Sequence, residues 1–175
     1  GNLSDEPIVK DNEDAFEKLA AFADYILVHD RPIRRRCDDS VVKAIGGFPT
    51  PLRRSRGYAP LPVRLPFKLR NKVLAAGGFY KNTFAIGFED KVIMSQHIWD
   101  IGTVDAIDYF DEAVRDICSI YDFKPEVIAH DLHPSYETTR LALSQEGVMR
   151  VGVQHHFAHV VSCMAENGLS NEVLG

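Results

Sequence analysis

From residue 73 onward the chain alternates short apolar runs with helical periods, and this order restricts the fold more than any other feature. Val73-Leu74-Ala75-Ala76 leads through Gly77-Gly78 and Lys81-Asn82 into Thr83-Phe84-Ala85-Ile86-Gly87. Lys91-Val92-Ile93-Met94-Ser95-Gln96 reads as a third strand. Apolar positions at Ile107, Phe110, Val114, Ile117, Cys118 and Tyr121 then keep a helical period over residues 105–121. Val127-Ile128-Ala129-His130 is a short strand, residues 135–147 a helix, Val151-Gly152-Val153 another strand, and a last helix begins at or near His155. Three strands followed by helix, strand, helix, strand, helix imply an α/β fold whose later strands run parallel, joined by crossover helices.

The first 70 residues read differently. Residues 13–23 carry Phe16, Leu19, Ala20 and Ala23 on one helical face, with Asp11 or Asn12 as cap. Tyr25-Ile26-Leu27-Val28 is expected as a short buried strand, and Val41-Val42 begins a strand-like run broken by Gly46-Gly47 and Pro49. Residues 57–70 hold Gly57, Pro60, Pro62 and Pro66. They are read as a linker ending near 68–70, in which the prolines confine any strand to a sheet edge. Charge divides at the same place. Residues 1–70 carry 13 Lys+Arg and 10 Asp+Glu, whereas residues 71–175 carry 7 and 15. The asymmetry points to two units, and the acidic larger half argues against nonspecific binding of nucleic acid.

Cys37, Cys118 and Cys163 are odd in number and form no C-x-x-C pair, which argues against a zinc finger or an internal disulfide framework and fits reduced thiols in a cytoplasmic protein. No stretch approaches the ~20 apolar residues that cross a bilayer. The opening Gly1-Asn2-Leu3-Ser4-Asp5-Glu6 has neither the basic head nor the apolar core of a signal peptide.

Three motifs carry potential chemistry. Gln154-His155-His156-Phe157-Ala158-His159 follows a strand, and four-residue spacing puts His155 and His159 on one helix face, the arrangement of a two-histidine metal clamp. Spacing alone leaves a plain helix start with polar histidines equally open. His130-Asp131-Leu132-His133-Pro134-Ser135-Tyr136 also lies where a strand hands over to a helix. It is either a capped polar loop or an active-site edge in which Asp131 and His133 bind ligand or move protons. Residues 31–70 hold eleven Lys+Arg against Asp38 and Asp39, with Arg34-Arg35-Arg36 and Arg53-Arg54-Ser55-Arg56 as cores. Guanidinium groups grip phosphate with paired bonds, so these clusters near Ser40 suit a nucleotide; the alternative is a solvated basic face that touches RNA.

In order and spacing, these motifs resemble the HypF family of hydrogenase-maturation carbamoyltransferases. Gly1-Asn2-Leu3-Ser4-Asp5-Glu6-Pro7 resembles the tail of that family's S-x-N loop. His29-Asp30-Arg31, Asp38-Asp39-Ser40-Val41-Val42 and Leu52-Arg53-Arg54-Ser55-Arg56-Gly57-Tyr58 resemble the end of its YrdC-like domain. Lys81-Asn82-Thr83-Phe84, Ser95-Gln96-His97, Asp131-Leu132-His133-Pro134 and the histidine run resemble its transferase domain.

The resemblance implies a partial YrdC-like α/β segment over residues 1–68, then the first half of an actin-like (ASKHA) α/β domain with a mixed sheet over residues 69–175. It implies ATP and carbamoyl phosphate as substrates, carbamoyl adenylate as intermediate, and transfer to the C-terminal cysteine of HypE. Residue by residue, Asn2, Ser40, Arg54 and Arg56 would hold the adenylate. Asn82 and Thr83 would form the phosphate turn, Asp131 and His133 would line the transfer site, and His155 and His159 would bind zinc or iron. Phe157 departs from the family's His-His-His-Ala-His run but spares both paired ligands. With the remaining family domains outside these residues, catalysis by this chain alone is not expected. The alternatives are threonylcarbamoyl transfer for tRNA modification, which uses related modules, and a noncatalytic partner-docking or RNA-binding piece.

Overall fold

The structure, a computed structural model, describes residues 1–3 and 6–175. Its elements are α1 (Asn12–Leu19), β1 (Val41–Ile45), β2 (Phe48–Arg53), β3 (Pro62–Arg64), β4 (Val73–Ala75), β5 (Ala85–Phe88), β6 (Lys91–Met94), α2 (Val104–Ile120), β7 (Val127–Asp131), α3 (Glu137–Ser144), β8 (Met149–Val153) and α4 (His155–Glu166).

Six strands form one sheet in the order β3-β6-β5-β4-β7-β8. β4, β7 and β8 run parallel, while β5 and β6 are antiparallel to their neighbours, so the sheet is mixed, as expected. The register sets Ala75 beside Ala129 and Ala129 beside Val151, and carries β7 and β8 on to Asp131 beside Val153. The carboxyl ends of the three parallel strands therefore finish at one sheet edge, where ligands of such sheets gather.

The core lies between this sheet and α2. Thr103 caps the helix by accepting the Ala106 N–H at 3.2 Å. Ala106, Tyr109, Phe110, Ala113 and Ile117 then recur on the buried face and meet Leu74, Phe84, Ile86, Ile93 and Ile128. Phe84 and Phe110 pack edge to face at 5.7 Å. Each large apolar side chain buried here contributes roughly 1.5–3 kcal/mol. A cavity of about 410 Å³ beside Phe110, Val114, Cys118 and Leu141 lies on the α2–α3 side of the sheet.

Several local readings need correction. Tyr25–Val28 forms no strand: Leu27 is 100% exposed, and its backbone has no neighbouring strand to pair with among the described residues. The first helix stops at Leu19, short of the expected residue 23, and Asp11 at its cap position makes no side-chain bond. The helix expected over 135–147 spans only Glu137–Ser144. Tyr136 takes the cap position, and the Ser135 N–H is drawn to His133 Nδ1 at 3.2 Å. Gly46-Gly47 does not break a strand but turns a hairpin: both residues are left-handed, at φ +59° and +84°, as a two-residue turn between antiparallel strands demands. The stretch read as linker supplies β3, which joins the sheet against β6 at its edge, the one place where Pro62 costs no ladder bond.

The N-terminal segment is fastened to α2 by charge. Arg34 and Arg35 both reach Asp116, at 2.9 and 2.8 Å, and Lys10 reaches Glu112 at 2.8 Å. Arg36 bonds to the carbonyl of Ile8 and lies over the Tyr109 ring at 5.4 Å. The Arg34–Arg36 cluster is thus spent on internal carboxylates and an aromatic face rather than offered to phosphate. No described helix is long and apolar enough to cross a membrane.

Candidate functional site

A cleft of about 510 Å³ opens at the carboxyl ends of β4, β7 and β8. Gly77, Gly78, Asn82, Thr83, Asp131, Tyr136, His155 and His159 all line it. Two motifs that sequence places far apart, the Asn82-Thr83 turn and the histidine pair, therefore share one cavity with Asp131.

Asn82 is anchored from several directions. Its backbone pairs with Trp99, and its side-chain amide donates to the carbonyls of Ala76 and Gly78 at 3.0 and 2.6 Å. It is only 1% exposed, and its Oδ1 is a buried acceptor without a partner among the described residues. Such an atom costs free energy unless a donor reaches it. Gly77 makes this turn possible: its φ is +74°, and a Cβ there would collide with the carbonyl oxygen of Thr83.

Asp131 ends β7 and is held on every side. Its Oδ2 lies 2.7 Å from His155 Nδ1, its Oδ1 accepts the His133 N–H at 2.8 Å, and its carbonyl accepts the Thr139 hydroxyl at 2.9 Å. Burial by itself would raise the carboxyl pKa; the bonds from His155 and His133 outweigh it and hold Asp131 below the ordinary carboxylate range. His133 stacks on Tyr136 with ring centroids 4.3 Å apart. Thr138 and Thr139, which the sequence reading did not single out, bond to backbone at the cleft. The Thr138 hydroxyl donates to the Gly77 carbonyl at 3.1 Å, so α3 braces both the glycine turn and Asp131. Two adjacent threonines in the first turn of a helix were the available signal, since neither favours a helix interior.

The first turn of α4 aims His155 and His159 at each other, with Nε2 atoms 3.1 Å apart. Two tetrahedral zinc ligands at about 2.0–2.1 Å from the ion stand roughly 3.3 Å apart, so this separation suits a shared ion. Imidazole suits zinc and iron alike, and a carboxylate behind the far ring nitrogen is the usual support of a ligating histidine. The donor set fits two ligands; among the described residues no group of three or more His, Cys, Asp and Glu closes a site.

The expected adenylate residues are partly assembled. The Ser40 hydroxyl donates to the Arg56 carbonyl and accepts the Ser55 N–H, both at 2.9 Å. The Arg56 guanidinium donates to the Cys37 carbonyl, and Arg54 donates to Tyr58 and Leu61 carbonyls while its Nε stays buried and unpartnered. Among the described residues Asn2 donates to the carbonyls of Leu3 and Glu6, within its own loop; Ser4 and Asp5 of that loop lie outside the described residues. Arg53 lies over the Trp99 ring at 5.4 Å, which links this loop to the residue paired with Asn82.

The family model described as the HypF Kae1-like domain matches residues 68–166, and the one described as telomere recombination, of the Sua5/YciO/YrdC group, matches residues 1–55. The carbamoyltransferase HypF of Synechocystis sp. is 46% identical over 100% of this chain and 23% of its own length. A crystal structure of full-length HypF in a phosphate- and nucleotide-bound form superposes with a TM-score of 0.94 at 43% identity, over 100% of this chain and 28% of that one. The crystal structure of T. kodakarensis HypF gives 0.90 at 41% identity, over 97% and 22%. The chain thus spans less than a third of the length of these relatives.

Proposed function

Because the chain belongs to the HypF carbamoyltransferase family, we propose that it forms part of an ATP-dependent carbamoyltransferase of [NiFe]-hydrogenase maturation in the cytoplasm. The observation that supports this most is the convergence of Asn82, Thr83, Asp131, His155 and His159 on one cleft. In this reading Asn2, Ser40, Arg54 and Arg56 hold carbamoyl adenylate made from carbamoyl phosphate and ATP. Residues 1–68 are the end of the YrdC-like unit and residues 69–175 the first half of the actin-like unit. Asn82 and Thr83 sit in the phosphate turn that Gly77 permits, with Asn82 holding its shape through bonds to Ala76 and Gly78. The C-terminal thiolate of HypE attacks the carbamoyl carbon; the C–S bond forms as the C–O bond to AMP breaks.

His155 and His159 hold zinc or iron, which supplies positive charge to developing oxyanions when bound. His133 does not line the cleft but stacks on Tyr136, which does, and through it orients the incoming group. The test uses a protein of the relatives' length, with and without His155→Ala/His159→Ala. The double variant is expected to lose its metal and transfer to HypE while retaining adenylate formation. Unchanged metal content and transfer would overturn the assignment of the histidines. Transfer of a threonylcarbamoyl group to tRNA, with no carbamoylation of HypE, would support the threonylcarbamoyl alternative.

A further inference from the structure

We infer that Asp131 is a positioning residue for the histidine pair: its carboxylate fixes the ring of His155 so that a bare Nε2 faces His159. The inference rests on reading the pair as a metal clamp and names what aims it.

Three observations carry it. Both oxygens of Asp131 are engaged, Oδ2 with His155 Nδ1 at 2.7 Å and Oδ1 with the His133 N–H at 2.8 Å. These two bonds fix the plane and direction of the carboxylate, so that Oδ2 is aimed at the His155 ring. Next, an ionised carboxylate only accepts, so Nδ1 of His155 carries a proton, and in the neutral ring Nε2 holds the lone pair. Finally, His159 Nε2 stands 3.1 Å from that lone pair. Two bare nitrogens at this distance repel, so the gap calls for a shared proton or a cation. The carboxylate also makes the facing nitrogen a stronger donor.

Asp131 is itself fixed by the backbone. Its carbonyl accepts Thr139 Oγ1, and its side chain is 10% exposed against 56% for His155, so it is the buried, stationary partner of the pair. His133 shares none of this. Its Nδ1 accepts the Ser135 N–H and its ring is stacked on Tyr136.

The experiment titrates the 175-residue chain with Zn²⁺ alone, for the wild type, Asp131→Ala, Asp131→Asn and His155→Ala/His159→Ala, beside ¹⁵N spectra that report the His155 tautomer. Asp131→Ala is expected to weaken zinc binding by about 10- to 100-fold. It should also convert His155 from the Nδ1–H form to a mixture. Asp131→Asn still accepts from Nδ1 but carries no charge, so it should fall between, and it carries the test if the alanine variant does not fold. Unchanged zinc affinity with an unchanged tautomer in Asp131→Ala overturns the positioning role. If the double histidine variant binds zinc like the wild type, the clamp itself fails, and the purpose assigned to Asp131 falls with it.

Discussion

The Tyr109 hydroxyl donates to the backbone carbonyl of Arg36 at 2.8 Å, while the guanidinium of the same arginine lies over the Tyr109 ring. One residue of α2 thus grips a residue of the N-terminal segment by both its backbone and its side chain. Gln96 completes the junction by donating to the phenol oxygen at 3.1 Å.

Tyr109→Phe should therefore cost about 1–3 kcal/mol, because it strands the half-buried Arg36 carbonyl and the buried Gln96 amide. Burial pushes the phenol up to about 12. The unfolded value is about 10, so the neutral phenol's contribution is complete below pH 10 and is lost as pH rises through 12. An absorbance titration of tyrosinate should show one of the six tyrosines ionising late in the folded chain. Ionisation of all six together near 10 would remove this account of the junction.

Asp116 gives the opposite pH dependence. The bond from Arg35 comes first among the causes that hold its carboxyl below the ordinary range, against the opposing effect of burial. A depressed carboxyl stabilises the fold above its unfolded value of about 3.9, and that contribution disappears as pH falls through the folded value. Asp116→Asn should lower stability at pH 7 by about 0.2–1 kcal/mol, because the Arg34 and Arg35 guanidinium groups that reach Asp116 are exposed to solvent. Below the folded value the two proteins should converge; a constant gap across pH would mean that Asp116 acts by packing alone.

Much of this architecture can be read from the chain. The strands from Val73 onward and α2 follow period and apolar content, and the four-residue spacing of His155 and His159 already states that they share a face. What could not be read depends on distant partners. Tyr25–Val28 looks like a strand by composition, yet a strand exists only where another backbone pairs with it. Pro62–Arg64 looks like a linker until β6 offers it an edge. The basic run Arg34–Arg36 looks like a phosphate grip because Asp116 and Glu112 lie some eighty residues away along the chain, and no local rule couples them. Asp131 was legible as a site residue, but its bond to His155 depends on the adjacency of β7 and β8.

Gly77→Ala isolates the turn beneath the cleft. A left-handed alanine costs about 1–2 kcal/mol, and here its methyl would also strike the Thr83 carbonyl. Gly46→Ala is the matched control: it is left-handed too, at φ +59°, but a methyl there meets nothing. Chemical denaturation should show the larger loss at Gly77. Equal losses would mean that the close approach of Thr83 relaxes freely.

Trp99 is the chain's single tryptophan, seated between Arg53 and His97 with its backbone paired to Asn82. Its indole is therefore a built-in optical reporter at the seam between the arginine loop and the glycine turn. Emission from this one fluorophore can follow either side of the seam in real time without a label or an introduced cysteine.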